Sequence, residues 1–470
     1  MSQQLRTETP RRGLSLAVLI VNQLLAGVGV ASGLALAAIL VADLTDVTAM
    51  GGLAQSSSVL GAAVVAIPLA RLAVRAGRHV ALATGYACAA LGAVLVIAAA
   101  TSGWPVLVFL GLAAFGAGAA AGLQARFAAT EVAAPGFEAR SMSLVLWATT
   151  IGSVAGPLLS QVGNDLGLSL GLPPLVGPFI FSAVAFALSS ILVGALLRSP
   201  KAGHLASDAP EADASAADAA EADAAETSEF SPSTTAGVNT AAGTDDLAGD
   251  AAAPEQVAVA TGAVPVPPPE RIGAWRALRT AARNPTALVA ILAIICSHTV
   301  MITVMVMTPV HMAGHGMSLS LVGLVISIHI LGMFGASPIM GWLADRLGSE
   351  RVIMIGVGFL VAATVIGILA PGDDAILIPL ALGLLGLGWS AGLIGGSTLL
   401  TTAVDERLRV PLQGATDAAM NVVAAVSAAF SGLVLGLGGF AAVNVVAIFV
   451  LVPLAIAGLR LGAIRRSATA

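Results

Sequence analysis

Twelve separate runs of mostly apolar residues, each long enough to cross a bilayer as a helix, constrain this chain more than any motif in it. They lie near 14–41, 50–72, 80–100, 104–125, 141–163, 174–197, 286–310, 318–343, 352–370, 375–402, 411–435 and 438–462. A spanning helix needs about 20 apolar residues to cross about 30 Å of hydrocarbon. Lipid offers the backbone no hydrogen bonds, so helices are the default, and the alternating ten-residue pattern of a membrane barrel is absent. Composition points the same way: the 470 residues are 57% hydrophobic and 10% charged, where soluble domains are about a quarter charged. The expected fold is an all-α polytopic membrane protein of twelve transmembrane helices.

The placement of positive charge tests that count, because Lys and Arg stay on the cytoplasmic side of short loops. With the N-terminus inside, all 21 Lys and Arg fall at cytoplasmic ends or loops. The loops on the other side carry Asp43, Asp46, Asp165, Asp373 and Asp374 and no Lys or Arg. Miscounting by one helix would put several arginines outside. Arg11 and Arg12 precede a first run with no small-residue cleavage site, which reads as a retained first span and not a removed signal. Multi-pass insertion in the cell membrane with both termini cytoplasmic is therefore expected.

The net charge of −5 averages two unlike parts. Residues 199–270 hold 13 of the 26 acidic residues and, among Lys and Arg, only Lys201, which leaves that segment at −12 and the remaining chain at +7. Repeats such as Glu211-Ala-Asp213, then Ser, Thr and Gly, then Pro265 and Pro267 to Pro269, cannot bury enough apolar surface to fold. The segment reads as a tether between two six-helix halves. Beyond it, Trp275, Leu278 and Ala282 interleave with Arg276, Arg279 and Arg283, as in a short helix on an anionic membrane surface. The organisation expected is a cytoplasmic N-terminus (1–13), a first bundle (14–198), a cytoplasmic loop with a basic amphipathic segment (199–284), a second bundle (285–463) and a cytoplasmic tail (464–470).

Between spans eight and nine the chain reads Gly341-Trp-Leu-Ala344-Asp345-Arg346-Leu-Gly348-Ser-Glu-Arg351. This closely resembles the loop signature Gly-x-Leu-Ala-Asp-Arg-x-Gly of the major facilitator superfamily. The resemblance implies two pseudo-symmetric bundles and a gating role for this loop, with Gly341 allowing close helix approach and Arg346 and Arg351 anchoring it. The matching loop of the first half keeps Arg75 and Arg78 but has Ala70 and Val74 where Gly and the acid are expected. Span four has Leu112 where many proton-coupled members carry an Arg. In span five, Gly152-Ser-Val-Ala-Gly156-Pro157 is similar to the family's antiporter signature, although Ser160 and Gln161 replace its following glycines. Physically, two glycines four apart permit close helix packing and the proline bends the helix.

Ionisable groups inside the spans are few and costly. His298, His329 and Asp417 are the candidates for proton coupling, with Asn421 one turn beyond Asp417. By the family's pseudo-symmetry Asp345 should approach Arg140, and Asp417 could reach Arg75 or Arg78 as a second latch. Candidate cavity residues are Asn22, Gln23, Trp147, Trp389, Ser390 and Asn421. His311 and His315 have a metal-like spacing but no carboxylate or thiol beside them, and read as interfacial histidines, so no metal or cofactor is expected. Cys88 and Cys296 lie within apolar runs and do not speak to redox compartment.

No phosphate loop, catalytic triad motif or nucleic-acid signature is present, so enzymatic activity and nucleic-acid binding are not expected. The resemblance implies a secondary active transporter working by alternating access as a monomer, whose partners are the bilayer, a small molecule and protons. With no Lys or Arg mid-membrane, anionic cargo is disfavoured. Proton-coupled export of lipophilic neutral or cationic molecules fits best. The alternatives are uptake of a small metabolite with protons, and a non-transporting sensor that signals through the acidic loop.

Overall fold

The computed structural model describes residues 4–132, 138–197 and 274–469. The acidic loop, including Lys201 and the proline run, lies outside the described residues, as do the side chains of Val74, Arg126, Arg140, Trp275 and Glu406. Among the described residues, eleven helical stretches are long and apolar enough to cross a membrane. Spans one to ten are Gly13–Thr45, Met50–Ala73, Arg78–Ser102, Pro105–Ala125, Ser141–Leu158, Pro178–Leu196, Pro285–Gly314, Leu319–Leu347, Ser349–Leu369 and Leu377–Ala403.

The eleventh stretch, Leu412–Ile464, has 53 residues. At about 1.5 Å per residue a straight helix of that length would run about 80 Å, far beyond one bilayer. It is two spans. The backbone leaves helical geometry at Gly439 (φ 71, ψ −174), and beyond it the chain runs back along span seven. Phe440 stacks on His311 at the end of span seven, and Leu454 bonds to Cys296 half-way back along it. Span eleven is thus 412–438 and span twelve 440–464, which gives twelve crossings.

Helix ends are set locally. Asn284 accepts hydrogen bonds from the amides of Thr286 and Ala287 with Pro285 at the first helical position of span seven, and Ser318 caps span eight. Asp374, in the loop before span ten, accepts from the amides of Leu377 and Ile376. Those two bonds hold its carboxyl below the usual carboxylate range. The short turns after spans two and eight each hinge on a glycine, Gly77 (φ 96, ψ 158) and Gly348 (φ 87, ψ 146). An L side chain rarely adopts either conformation. The two loops therefore share a backbone despite their unequal side chains.

Each half has its own core. Spans one to six pack around Tyr86, Phe115, Phe179 and Phe186, all fully buried, with Phe115 edge-on to both phenylalanines. Spans seven to twelve pack around aliphatic residues with Met301 and Met307. Outward-facing Val106, Leu437 and Phe449 are left for lipid. Hydroxyls on span seven return their hydrogens to the helix, Thr299 to Ile295 O, Thr303 to Thr299 O and Thr308 to Val304 O, which satisfies them without water. The short helix Ala274–Ala281 is present. Ala277 and Ala281 are buried in the second core with Leu412, while Arg276, Arg279 and Ala282 are exposed.

Candidate functional site

The halves meet along two antiparallel seams. Span five lies against span eight, where Ser327 Oγ donates to Val154 O at 2.7 Å and a Cβ on Gly323 would collide with Pro157 O. Span two lies against span eleven, where Ser56 Oγ donates to Ala425 O at 2.7 Å and a Cβ on Gly52 would collide with Ala428 O. All these contacts lie on the side away from the termini. Gly152 and Gly156 serve packing inside the first half, against Leu24, Val28 and Ser32 of span one.

On the terminus side the same helix faces part. Trp147 and Leu144 of span five and Phe334 of span eight are exposed. Stepping back from Ala425 at helical spacing brings the seam face of span eleven to Asn421, Asp417 and Gly414, all exposed. A Cβ on Gly341 would meet nothing within 4 Å, so the close helix approach expected of it is not made in this conformation.

Between the parted faces lies a cavity of about 590 Å³. Spans one, four, five and eight line it with Gln23, Trp147, Thr149, Thr150, Phe334 and Ser337 among small apolar residues, and no charged side chain is among the described residues that line it. A smaller apolar cavity of about 190 Å³ lies farther from the termini, and Val30, Ser153 and Phe334 line both.

Gln23 is fixed from three sides. Its Nε2 donates to Thr149 Oγ1 at 3.0 Å and Gly122 O at 3.3 Å, and its Oε1 accepts the Tyr86 hydroxyl at 3.0 Å. Asn22 donates to that hydroxyl at 3.1 Å and is fully buried, so it backs the cavity without lining it. On the other wall, span eight passes through one turn of π-helix, Leu331–Gly335. Phe334, carried by that turn, packs edge-on to Trp389 at 5.5 Å. The Trp389 indole N–H donates to His298 Nδ1 at 2.9 Å, and Ser390 shares a hydrogen bond with Ser337 at 3.3 Å. Trp389, Ser390 and His298 thus form a layer behind the wall.

The remaining candidates lie apart from the cavity. His329 is fully buried, with Nδ1 2.8 Å from Leu382 O and Nε2 unpartnered. Asn421 donates to Asp417 O. Asp345 is exposed, Ala344 is buried and Arg346 lies over Trp342 at 4.8 Å. Asp345 and Asp417 pair with no cation among the described residues. The Asp345–Arg140 contact falls on a side chain outside them. Arg75 and Arg351 are exposed, and Arg78 donates to Gln124. His311 packs between Phe440 and His315.

Reasoning from sequence missed Phe334, Ser337, Thr149 and Thr150. Phe334 lies seven residues past Ser327 and Trp147 seven before Val154, so antiparallel pairing of spans five and eight would have placed the two rings opposite each other.

Comparison with known proteins agrees with this architecture. The chain is 32% identical over 432 residues to the uncharacterized MFS-type transporter YdeG of Bacillus subtilis (strain 168), covering 92% of this chain and 88% of that one. It is 31% identical over 420 residues to YddS of the same organism, covering 89% and 84%. Among solved structures, the nucleoside transporter NupG matches with a TM-score of 0.63 at 15% identity, covering 96% of this chain and 98% of that one. A bacterial homolog of the human lysosomal transporter Spinster, in an inward-facing and unoccupied conformation, matches with a TM-score of 0.62 at 14% identity, covering 96% of each. At such identities these structures speak for the fold alone. The sequence profile described as Major Facilitator Superfamily matches residues 19–409 and 290–469. With twelve spans in two bundles around a cavity, the chain belongs to the Major Facilitator Superfamily and is a multi-pass membrane transporter, not an enzyme.

Proposed function

We propose that the chain is a secondary active, proton-coupled exporter of lipophilic neutral molecules, working by alternating access as a monomer in the cell membrane with its termini in the cytoplasm. The observation that carries this reading is the cavity between the halves, whose described lining residues carry no charge and which the two seams seal on the far side. With the termini inside, this conformation faces the cytoplasm. Rocking of the halves would close the terminus side and open the other. An anion would enter without a counter-charge at high desolvation cost, and a cation would find no carboxylate in the wall, so neutral cargo is favoured over cationic. Asp417, exposed on the seam face of span eleven, is the proposed proton site.

A second reading is carriage of a small metabolite. Its support is a 32% identity over 162 residues, 34% of this chain and 40% of the other, with the riboflavin transporter RfnT of Brucella anthropi.

Direction-resolved flux separates the two. Everted vesicles with an acidic lumen should accumulate neutral lipophilic compounds and collapse their pH gradient on adding them, and Asp417→Asn should abolish the gradient dependence. Gradient-driven accumulation only in right-side-out vesicles would replace export by uptake. No flux of any compound in either orientation would overturn transport of this cargo class.

A further inference from the structure

We propose that the cavity holds an uncharged, planar aromatic molecule as a sandwich between Trp147 and Phe334, one ring from each half. The inference rests on the transport reading only in naming the cargo. Its own basis is the construction of the cavity walls.

Trp147 and Phe334 are 49% and 38% exposed, and both line the 590 Å³ cavity. Large aromatic groups are scarce here: the chain has 5 Trp, 13 Phe and 1 Tyr in 470 residues. Two of them open onto one cavity from opposite helices. The register brings them level. Val154 and Ser327 are in contact across the seam, and seven residues of antiparallel helix from each lead to Trp147 and Phe334.

Phe334 is held in place. The π-turn at Leu331–Gly335 changes the helical phase of span eight where this ring leaves it, and such turns are enriched at functional sites. Behind the ring stands the Trp389 indole, 5.5 Å away at an interplanar angle of 74°, itself tied to His298. A ring braced edge-on from behind is a rigid platform that loses little freedom when a ligand stacks on it.

The rim of the cavity suits the edge of a heteroaromatic. Thr149 and Thr150 give their hydroxyl hydrogens to Val145 O and Leu146 O, both at 3.0 Å. Their remaining oxygen lone pairs, with that of Ser337, which bonds to Met333 O, favour N–H groups on a ligand's edge. Two rings, apolar walls and neutral acceptors without an ion pair select flat, uncharged, partly polar molecules over saturated lipids and over ions.

The test is binding to the purified full-length protein. Lumichrome, a neutral three-ring planar compound, serves as probe and is read by its own fluorescence. Cyclohexylcyclohexane, a saturated apolar compound, serves as competitor. Wild type should bind lumichrome saturably with quenching of its emission, as expected for stacking on an indole. Phe334→Leu and Trp147→Leu keep apolar volume but lose the π-face, and each should weaken binding about five- to tenfold. Trp147→Leu should also remove most of the quenching. Phe334→Tyr should stay within about twofold of wild type, which shows that the aromatic face is what matters.

No saturable binding to wild type overturns the sandwich, as do leucine variants that bind like wild type or displacement of lumichrome by the saturated compound at equal concentration. Flux is read separately. Ring-dependent binding without lumichrome transport upholds the site and counts against the transport reading, whereas transport indifferent to both leucine substitutions upholds transport and overturns the site.

Discussion

The two seams between the halves are near copies on the far side and unlike on the terminus side. Each closes with a serine hydroxyl on a backbone carbonyl at 2.7 Å and a glycine against another carbonyl. Toward the termini, span five and span eight present Trp147, Phe334 and then Asp345, whereas span eleven presents Asn421 and Asp417 to the largely apolar face of span two. Extending the Ser56 to Ala425 pairing places Asp417 level with Val64 and Arg75 level with residue 406. Asp417 is then eleven residues, about 16 Å along the helices, from Arg75. The Asp417–Arg75 latch expected from the sequence is out of register, and Arg78 is farther still. Residue 406 is itself an acid, Glu406, whose side chain lies outside the described residues; beside it Asp405, at the start of the helix that leads into span eleven, makes no side-chain capping hydrogen bond. Shared backbone mechanics thus carry different chemistry, with aromatic rings on one seam and a carboxylate, Asp417, at the matching depth of the other.

The largest expected effect comes from breaking the shared part. Gly323→Leu puts a side chain into Pro157 O and should reduce flux by more than tenfold while raising far-side thiol labelling in a single-cysteine background. Gly341→Leu, at a position open in this conformation, should leave far-side labelling at the wild-type level.

Next is the charged seam. Asp417→Asn should remove the pH dependence of flux and leave terminus-side labelling unchanged, whereas Arg75→Ala and Asp405→Ala should each raise that labelling, with no further rise in the double variant. A rise in labelling on Asp417→Asn that Arg75→Ala does not increase further would restore the first latch and refute the register.

Ser56→Ala and Ser327→Ala each remove one hydrogen bond worth about 1 kcal/mol. They should favour far-side opening about fivefold and to the same degree; a clear inequality would end the description of the seams as copies. Replacing residues 205–260 with a short Gly/Ser linker should change neither insertion nor flux, and a loss of flux at normal abundance would assign the acidic loop a regulatory role.

The spans were legible because hydropathy and the period of apolar residues report membrane crossing directly. The π-turn in span eight was not, because a change in hydrogen-bond phase leaves no mark on hydropathy. Polarity drew attention to Asn22, Gln23, Trp389 and Ser390 alike, yet only Gln23 lines the cavity. Composition gives a residue's cost of burial and not its direction around the helix. The first-half loop looked degenerate because Val74 replaces the acid, while Gly77 keeps the backbone turn that Gly348 makes in the second half. Side-chain chemistry there has diverged and main-chain shape has not.

Gln23 is the feature with a consequence for selectivity that volume and polarity counts miss. Both hydrogens of its amide are already given, to Thr149 and Gly122, and one lone pair of its oxygen is taken by Tyr86. At Gln23 a cargo therefore meets a residual acceptor and no available donor. Because the amide is ordered before anything binds, recognition costs little configurational entropy, and the side chain cannot turn over to suit a carbonyl. Between two flat molecules of equal size and lipophilicity, the one whose edge donates should hold faster than the one whose edge only accepts.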